Sequence, residues 1–153
     1  MSEPQSRESQ VPLAILLLEG GQAAQDNLRD TLKATGLKPR HGQLLMRLSQ
    51  GGATSQQDLL EELDLDPSVL VGLLNDLEAE GLVERVRDPA DRRRHIVALS
   101  DKGAKAMQEL QGQIADVEAR LFAGISPDVR DVLRRALHSV CTGHRAAKDN
   151  HCG

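Results

Sequence analysis

The stretch that decides the fold runs from Thr54 to Gly103 and reads TSQQDLLEELDLDPSVLVGLLNDLEAEGLVERVRDPADRRRHIVALSDKG. It opens on Thr54-Ser55-Gln56-Gln57, a Thr-x-x-Gln capping box that satisfies the free N–H groups of a helix start. Leu59, Leu60 and Leu63 follow at helical spacing. Asp66-Pro67 joins an N-cap to a first-turn proline and predicts a second helix through Glu80, closed by Gly81. About three residues separate the two helices, the spacing of a helix-turn-helix. Past Gly81 the period changes, and residues 82–87 and 95–99 read as two short strands. The loop between them, 88–94, is turn-rich and charged. A helix-turn-helix followed at once by a hairpin is a winged helix.

Working outward, Ser100 caps a long helix carrying Ala104, Met107, Leu110, Ile114, Val117 and Leu121. Ser126-Pro127 opens a last helix with Val129, Leu133, Leu137 and Val140, and residues 145–153 read as frayed. Upstream, residues 1–10 read as a disordered tail. A helical pattern spans Val11–Thr35, with Ala14, Leu17, Leu18, Ala24, Leu28 and Leu32 at threes and fours. Gly20-Gly21 predicts a kink within it, and Gly36 a stop. Pro39 stands where a first helical position belongs, and Leu44, Leu45 and Leu48 carry a second helix to Gly51-Gly52. The fold class is mainly α: a winged helix-turn-helix core with a two-stranded β wing, flanked by helices at both ends.

Composition narrows the function. The 153 residues hold 24 Leu, 10 Val and 4 Ile, enough for a core and too apolar for a disordered chain. One Phe and no Tyr or Trp exclude an aromatic cage or a base-stacking platform. The net charge of −4 gives no global field toward nucleic acid or an anionic membrane, so any such contact must rest on a local patch. The longest apolar run, Leu13 to Leu18, is too short to cross a bilayer and follows no basic segment of the signal-peptide kind. Two cysteines make no disulfide framework. The expectation is a soluble cytoplasmic protein.

The run LEAEGLVERVRDPADRRRHIVALSDKG resembles the winged-helix core of the MarR family of transcriptional regulators: Gly81-Leu82-Val83, the Asp91-Arg92-Arg93 wing tip, Leu99-Ser100, then Lys102-Gly103. The resemblance implies a homodimer on a pseudo-palindromic double-stranded DNA operator, repression, and release by a small-molecule effector. It implies dimerisation helices at 11–36 and 101–145 around a DNA-binding domain at 37–100, with a frayed tail at 146–153. It also implies that Asp91 pairs with Arg93 to stiffen the wing while Arg92 enters the minor groove. The family's effector region corresponds here to Leu17, Asp26, Arg29, Arg40, His41 and Leu45. Arg40 and His41 are its candidate anion-binding groups, with surface or DNA-facing roles as the plain alternative.

The chemistry of DNA binding is unevenly distributed. Arg85, Arg87, Arg92, Arg93 and Arg94 stand against only Asp88 and Asp91 in residues 85–94, and a slender Arg-tipped hairpin suits a minor groove. From Thr54 to Glu80 there is no Lys or Arg, but there are eight acids: Asp58, Glu61, Glu62, Asp64, Asp66, Asp76, Glu78 and Glu80. These must face away from phosphates if the helix-turn-helix meets DNA. Pro67, Ser68, Val71, Gly72 and Asn75 form one polar-to-small stripe, while Val69, Leu70, Leu73, Leu74 and Leu77 can point inward. Members of the family often carry Arg where this chain has Val71 or Gly72. Ser68 and Asn75 can bond base edges, and Val71 can pack on a thymine methyl. The DNA-contacting candidates are therefore Pro67, Ser68, Val71, Gly72, Asn75, Arg92, Arg93 and Arg94. Lys33, Lys38, Arg40, His41 and Arg47 are available to phosphates or to solvent. The alternative reading is a winged-helix protein-interaction module that binds through its acidic surface and not to DNA.

His138, Cys141, His144, His151 and Cys152 crowd the C-terminal end. His138 and Cys141 are one turn apart, a spacing open to metal. The simpler reading makes Cys141 a small hydrophobe on the last helix, and no metal or cofactor is expected. Hydrolase, zinc-protease and phosphate-loop motifs are missing, and no enzyme activity is expected.

Overall fold

The computed structural model describes residues 11–149. Its contacts divide the chain into two compact units, the first ending at Pro39 and the second beginning at Arg40.

The first unit is one helix, α1 (Leu13–Leu32), followed by a 3₁₀ turn at Lys33–Thr35. The kink expected at Gly20-Gly21 does not interrupt it. Glycine weakens a helix through backbone entropy but keeps its N–H, so the hydrogen-bond ladder continues. Gly36, at φ 72°, ends the turn by donating its N–H to the Lys33 carbonyl at 3.3 Å. Leu32 is the only buried residue of α1, whereas Leu13 and Ile15 through Leu18 are exposed.

The second unit holds α2 (Pro39–Gly51) from its second residue on, α3 (Gln56–Leu63), α4 (Pro67–Ala79), β1 (Val83–Arg87), β2 (His95–Leu99), α5 (Asp101–Leu121) and α6 (Pro127–Asp149). Leu44, Leu45 and Leu48 of α2, Leu59 of α3, and Leu70, Leu74 and Leu77 of α4 are buried with Val83, Val97, Met107 and Leu110. Each apolar stripe recurs at three and four residues, as a helix with one buried face requires.

The start of α3 differs by one residue from the expected box. Ser55, not Thr54, is the N-cap: its hydroxyl accepts the Asp58 N–H at 3.1 Å and donates to Asp58 Oδ2 at 2.7 Å. Thr54 is in use elsewhere, because its backbone exchanges two hydrogen bonds with Val97 of β2 at 3.0 and 2.7 Å. The Ser55 and Thr54 hydroxyls, with the field of Arg94, hold the Asp58 carboxyl below its ordinary range. A depressed folded value means that the cap's stability is present above the unfolded carboxylate range, about pH 4, and is lost as pH falls through the folded value. Ser55→Ala is expected to cost about 1 kcal/mol at neutral pH. It should also flatten the acid limb of thermal stability, read by circular dichroism between about pH 2 and 6.

Asp66 stands at the N-cap of α4 as expected, but without a side-chain capping bond. At the other end Gly81, at φ 69°, closes the helix, and the Leu82 N–H returns to the Leu77 carbonyl at 2.9 Å. Strands β1 and β2 pair antiparallel with Val83 opposite Leu99 and Arg87 opposite His95. Ser100 then caps α5 by accepting the Gly103 N–H at 2.9 Å. Arg130 ties the turn into α6 by donating to the Phe122 and Ile125 carbonyls, each at 2.9 Å. Helix α6 runs on to Asp149, so the fraying expected from residue 145 does not begin there. The rest of that expected tail, and residues 1–10, lie outside the described residues.

Candidate nucleic-acid interface

Helix α4 acquires its outward face by elimination. Leu70, Leu73, Leu74 and Leu77 are buried, which fixes its roll. Pro67, Ser68, Val71, Gly72 and Asn75 are all exposed as a result. Val69, expected to point inward, is 38% exposed and belongs to the outer face. It sits one residue before Leu70, about 100° around the helix, at the edge of the buried stripe.

Several acids near α4 are engaged by groups on neighbouring elements. Glu78 pairs with Arg85 of β1 at 3.1 Å, and Asp76 Oδ2 lies 3.1 Å from His41 Nε2. Glu62 of α3 takes the Arg47 guanidinium of α2 through two hydrogen bonds, the longer 2.7 Å. Ion pairs between elements offset part of the acidity of the helix-turn-helix. They also give Arg85 and Arg47 carboxylate partners within the fold.

His41 is the main departure from expectation. It is 3% exposed, in the first turn of α2, and neither a surface group nor an open anion-binding one. A buried imidazole needs a polar partner, and the Asp76 carboxylate is one. The sequence did carry a signal: His41, Leu45 and Leu48 share one helical stripe, which places His41 on the buried face. Arg40, by contrast, is exposed.

The wing is tied by its own backbone and carboxylates. Asp88 Oδ1 accepts the Ala90 N–H at 2.9 Å, and Asp91 Oδ1 accepts the Arg93 N–H at 3.0 Å. The Asp88 N–H bonds the Arg94 carbonyl, and the Arg94 N–H the Asp91 carbonyl, both at 2.9 Å. Asp91 and Arg93 are thus joined through the backbone N–H rather than the guanidinium. Arg87 donates to the Arg92 carbonyl at 2.9 Å and stiffens the base of the loop. Arg92, Arg93 and Arg94 are exposed, and none forms an ion pair among the described residues. Three exposed guanidiniums therefore stand on a loop held by its own hydrogen bonds.

Elsewhere, Cys141 is exposed and not the packed hydrophobe expected of it, and His138 is exposed too. The described residues contain no group of three or more His, Cys, Asp or Glu able to hold a metal ion. His151 and Cys152 lie outside the described residues. No helix among those described is long and apolar enough to cross a membrane.

A helix-turn-helix whose second helix keeps one face exposed, followed by an arginine-tipped wing, defines a winged helix-turn-helix domain. Comparison with known proteins carries this to the family. Residues 35–94 match the MarR family model. A putative transcriptional regulatory protein for the hcr operon of Thauera aromatica is 32% identical over 114 residues, 71% of this chain and 69% of that protein. Among solved structures, CouR from Rhodococcus jostii RHA1 bound to p-coumaroyl-CoA superposes with a TM-score of 0.77 at 30% identity, covering 89% of this chain and 95% of CouR. A mutant MarR from E. coli complexed with operator DNA shares the fold, with a TM-score of 0.73 at 22% identity over 89% of this chain and 98% of that one. The chain belongs to the MarR family of transcriptional regulators. Its relatives and structural neighbours are regulators and not enzymes.

Proposed function

We propose that the protein is a cytoplasmic homodimer that binds a pseudo-palindromic DNA operator, represses transcription there, and is released by a small-molecule effector. The observation that carries DNA binding is the hydrogen-bonded wing tip with Arg92, Arg93 and Arg94 exposed and outside any ion pair of the described residues. A hairpin solvated for its own sake gains nothing from two aspartates spent on holding its loop in shape. A minor groove, with its negative potential, favours such a presentation. Helix α4 supplies the major-groove partner through Pro67, Ser68, Val71, Gly72 and Asn75. Relatives named as repressors, such as NicR of Pseudomonas putida, support repression, and the ligand-bound CouR supports a small-molecule effector. Arg40 remains the exposed candidate for an anionic effector. His41, held at Asp76, can act there only from within the fold.

The competing reading, a protein-interaction module, draws on the exposed acids Glu61, Asp64 and Asp66. A gel-shift series on DNA upstream of the protein's own coding sequence, with and without unrelated competitor, separates the two. Shift of that DNA against excess competitor supports the operator; no shift at low salt favours the protein partner.

Dimerisation has its own support. Leu13, Ile15, Leu16, Leu17 and Leu18 of α1, and Val129, Val132 and Val140 of α6, are exposed apolar groups. Exposed apolar area on this scale marks an association surface. Sedimentation at micromolar concentration is expected to give twice the chain mass, as for a two-fold assembly. A monomer would remove the basis for a palindromic site.

A further inference from the structure

Three glycines of the winged helix differ in why they are glycine. Gly81 adopts φ 69°, where other residues are strained. Gly103 is pressed against the Leu82 carbonyl, so no side chain fits. Gly72 has neither reason. It lies inside α4, is exposed, and a Cβ built on it would meet nothing within 4 Å. Glycine in a helix interior is unfavourable relative to alanine, so folding alone selects against it here.

Its neighbours repeat the pattern. Val69 and Val71 are 38% and 44% exposed on the same helix. β-branched residues are stiff and middling helix formers, and their apolar surface is unfavourable in water. Ser68 and Asn75, the polar members of the face, make no side-chain hydrogen bond among the described residues. The outer face of α4 is thus poorly suited to water and well suited to a close contact with apolar projections.

Three cations that flank the helix-turn-helix in the sequence are engaged. Arg47 is bound to Glu62, Arg85 to Glu78, and Lys102 donates to the Glu80 carbonyl at 2.6 Å. No Lys or Arg occurs between them from residue 48 to residue 84. The commonest means of reading guanine, a guanidinium on O6 and N7, is therefore missing from this helix. Thymine projects a C5-methyl into the major groove, and adenine offers N6 and N7 to an Asn side chain.

Resting on the DNA-binding reading above, we propose that α4 selects A·T pairs. Thymine methyl groups seat in the notch over Gly72 against Val71, Asn75 bonds adenine N6 and N7, and α4 does not read guanine. The thymine methyl is a major-groove group, so its removal leaves the minor-groove contacts of the wing untouched.

The test uses the full-length chain and a random-sequence duplex pool. Rounds of selection at fixed salt should enrich duplexes with thymine and adenine at the major-groove positions of each half-site. In a selected duplex, deoxyuridine for thymine at those positions should weaken binding about three- to tenfold per contacted methyl, while 7-deazaguanine for guanine should change nothing. Gly72→Ala should raise the melting temperature and lower affinity for the selected duplex about tenfold or more, with a much smaller loss on random duplex. Opposite signs for stability and binding are what a structural role for Gly72 would not produce. Selective binding that survives deoxyuridine, or weakens with 7-deazaguanine, overturns the proposal and leaves DNA binding standing. So does a Gly72→Ala variant of full affinity. A chain that retains no duplex at low salt, or only a protein partner, overturns both readings.

Discussion

Arg92→Ala is expected to weaken binding to operator and to unrelated DNA alike. Arg92 stands exposed at a tip held by Asp88 and Asp91, and the contact proposed for it reads groove potential more than base identity. The loss should therefore appear as salt dependence: the slope of log affinity against log salt falls by about one for each phosphate-equivalent contact removed in each half of the dimer. Ser68→Ala and Asn75→Ala should behave differently, losing about 1–3 kcal/mol on the operator and much less on random DNA. Fluorescence anisotropy with labelled DNA at several salt concentrations separates the two patterns. The label is needed because the chain has no Trp or Tyr. Parental affinity for Arg92→Ala at every salt concentration would make the wing a solvated hairpin and move the protein-interaction reading ahead.

Gly103→Ala is expected to be the most destabilising single-methyl change in the winged helix. A Cβ there would overlap the Leu82 carbonyl oxygen and stand 2.9 Å from its carbon. Neither side can yield easily. The Leu82 carbonyl accepts the Ser100 N–H at 3.1 Å, the Ser100 hydroxyl donates to the Gly81 carbonyl at 2.5 Å, and Lys102 reaches the Glu80 carbonyl. These bonds clamp the end of α4 to the start of α5. Forcing a methyl into so closed a site costs about 3 kcal/mol, the upper end for overpacking. In a chain of this size that is a fall in melting temperature of roughly 10 °C. Thermal unfolding by circular dichroism checks it, and Gly72→Ala, which meets no neighbour, is the matched variant expected to move the other way. Equal melting for Gly103→Ala and parent would show that the clamp yields.

The order and kind of the elements were legible without coordinates because they rest on short-range information. Leucines at threes and fours, Asp66-Pro67, Gly81 and the switch to strand-like residues after it fall within single elements or at their ends. Their physical causes, periodic burial and terminal hydrogen bonding, act over a few residues. The wing arginines were legible for the same reason, since a charged hairpin tip remains at the surface in any packing.

Other features depended on which residues meet across the chain. Ser55 took the α3 cap because Thr54 pairs with Val97, more than forty residues on. His41 became a buried partner of Asp76 on another helix, and Glu78 and Glu62 engaged Arg85 and Arg47 in ion pairs. The roll of α4 moved Val69 outward and left Gly72 without an internal neighbour. Local pattern states which residues a helix can bury; only the packed neighbours settle its rotation, the charges that cancel and the hydrogen bonds already taken. A buried histidine or glycine owes its role to atoms distant in sequence and adjacent in space, so those assignments belong to the tertiary structure alone.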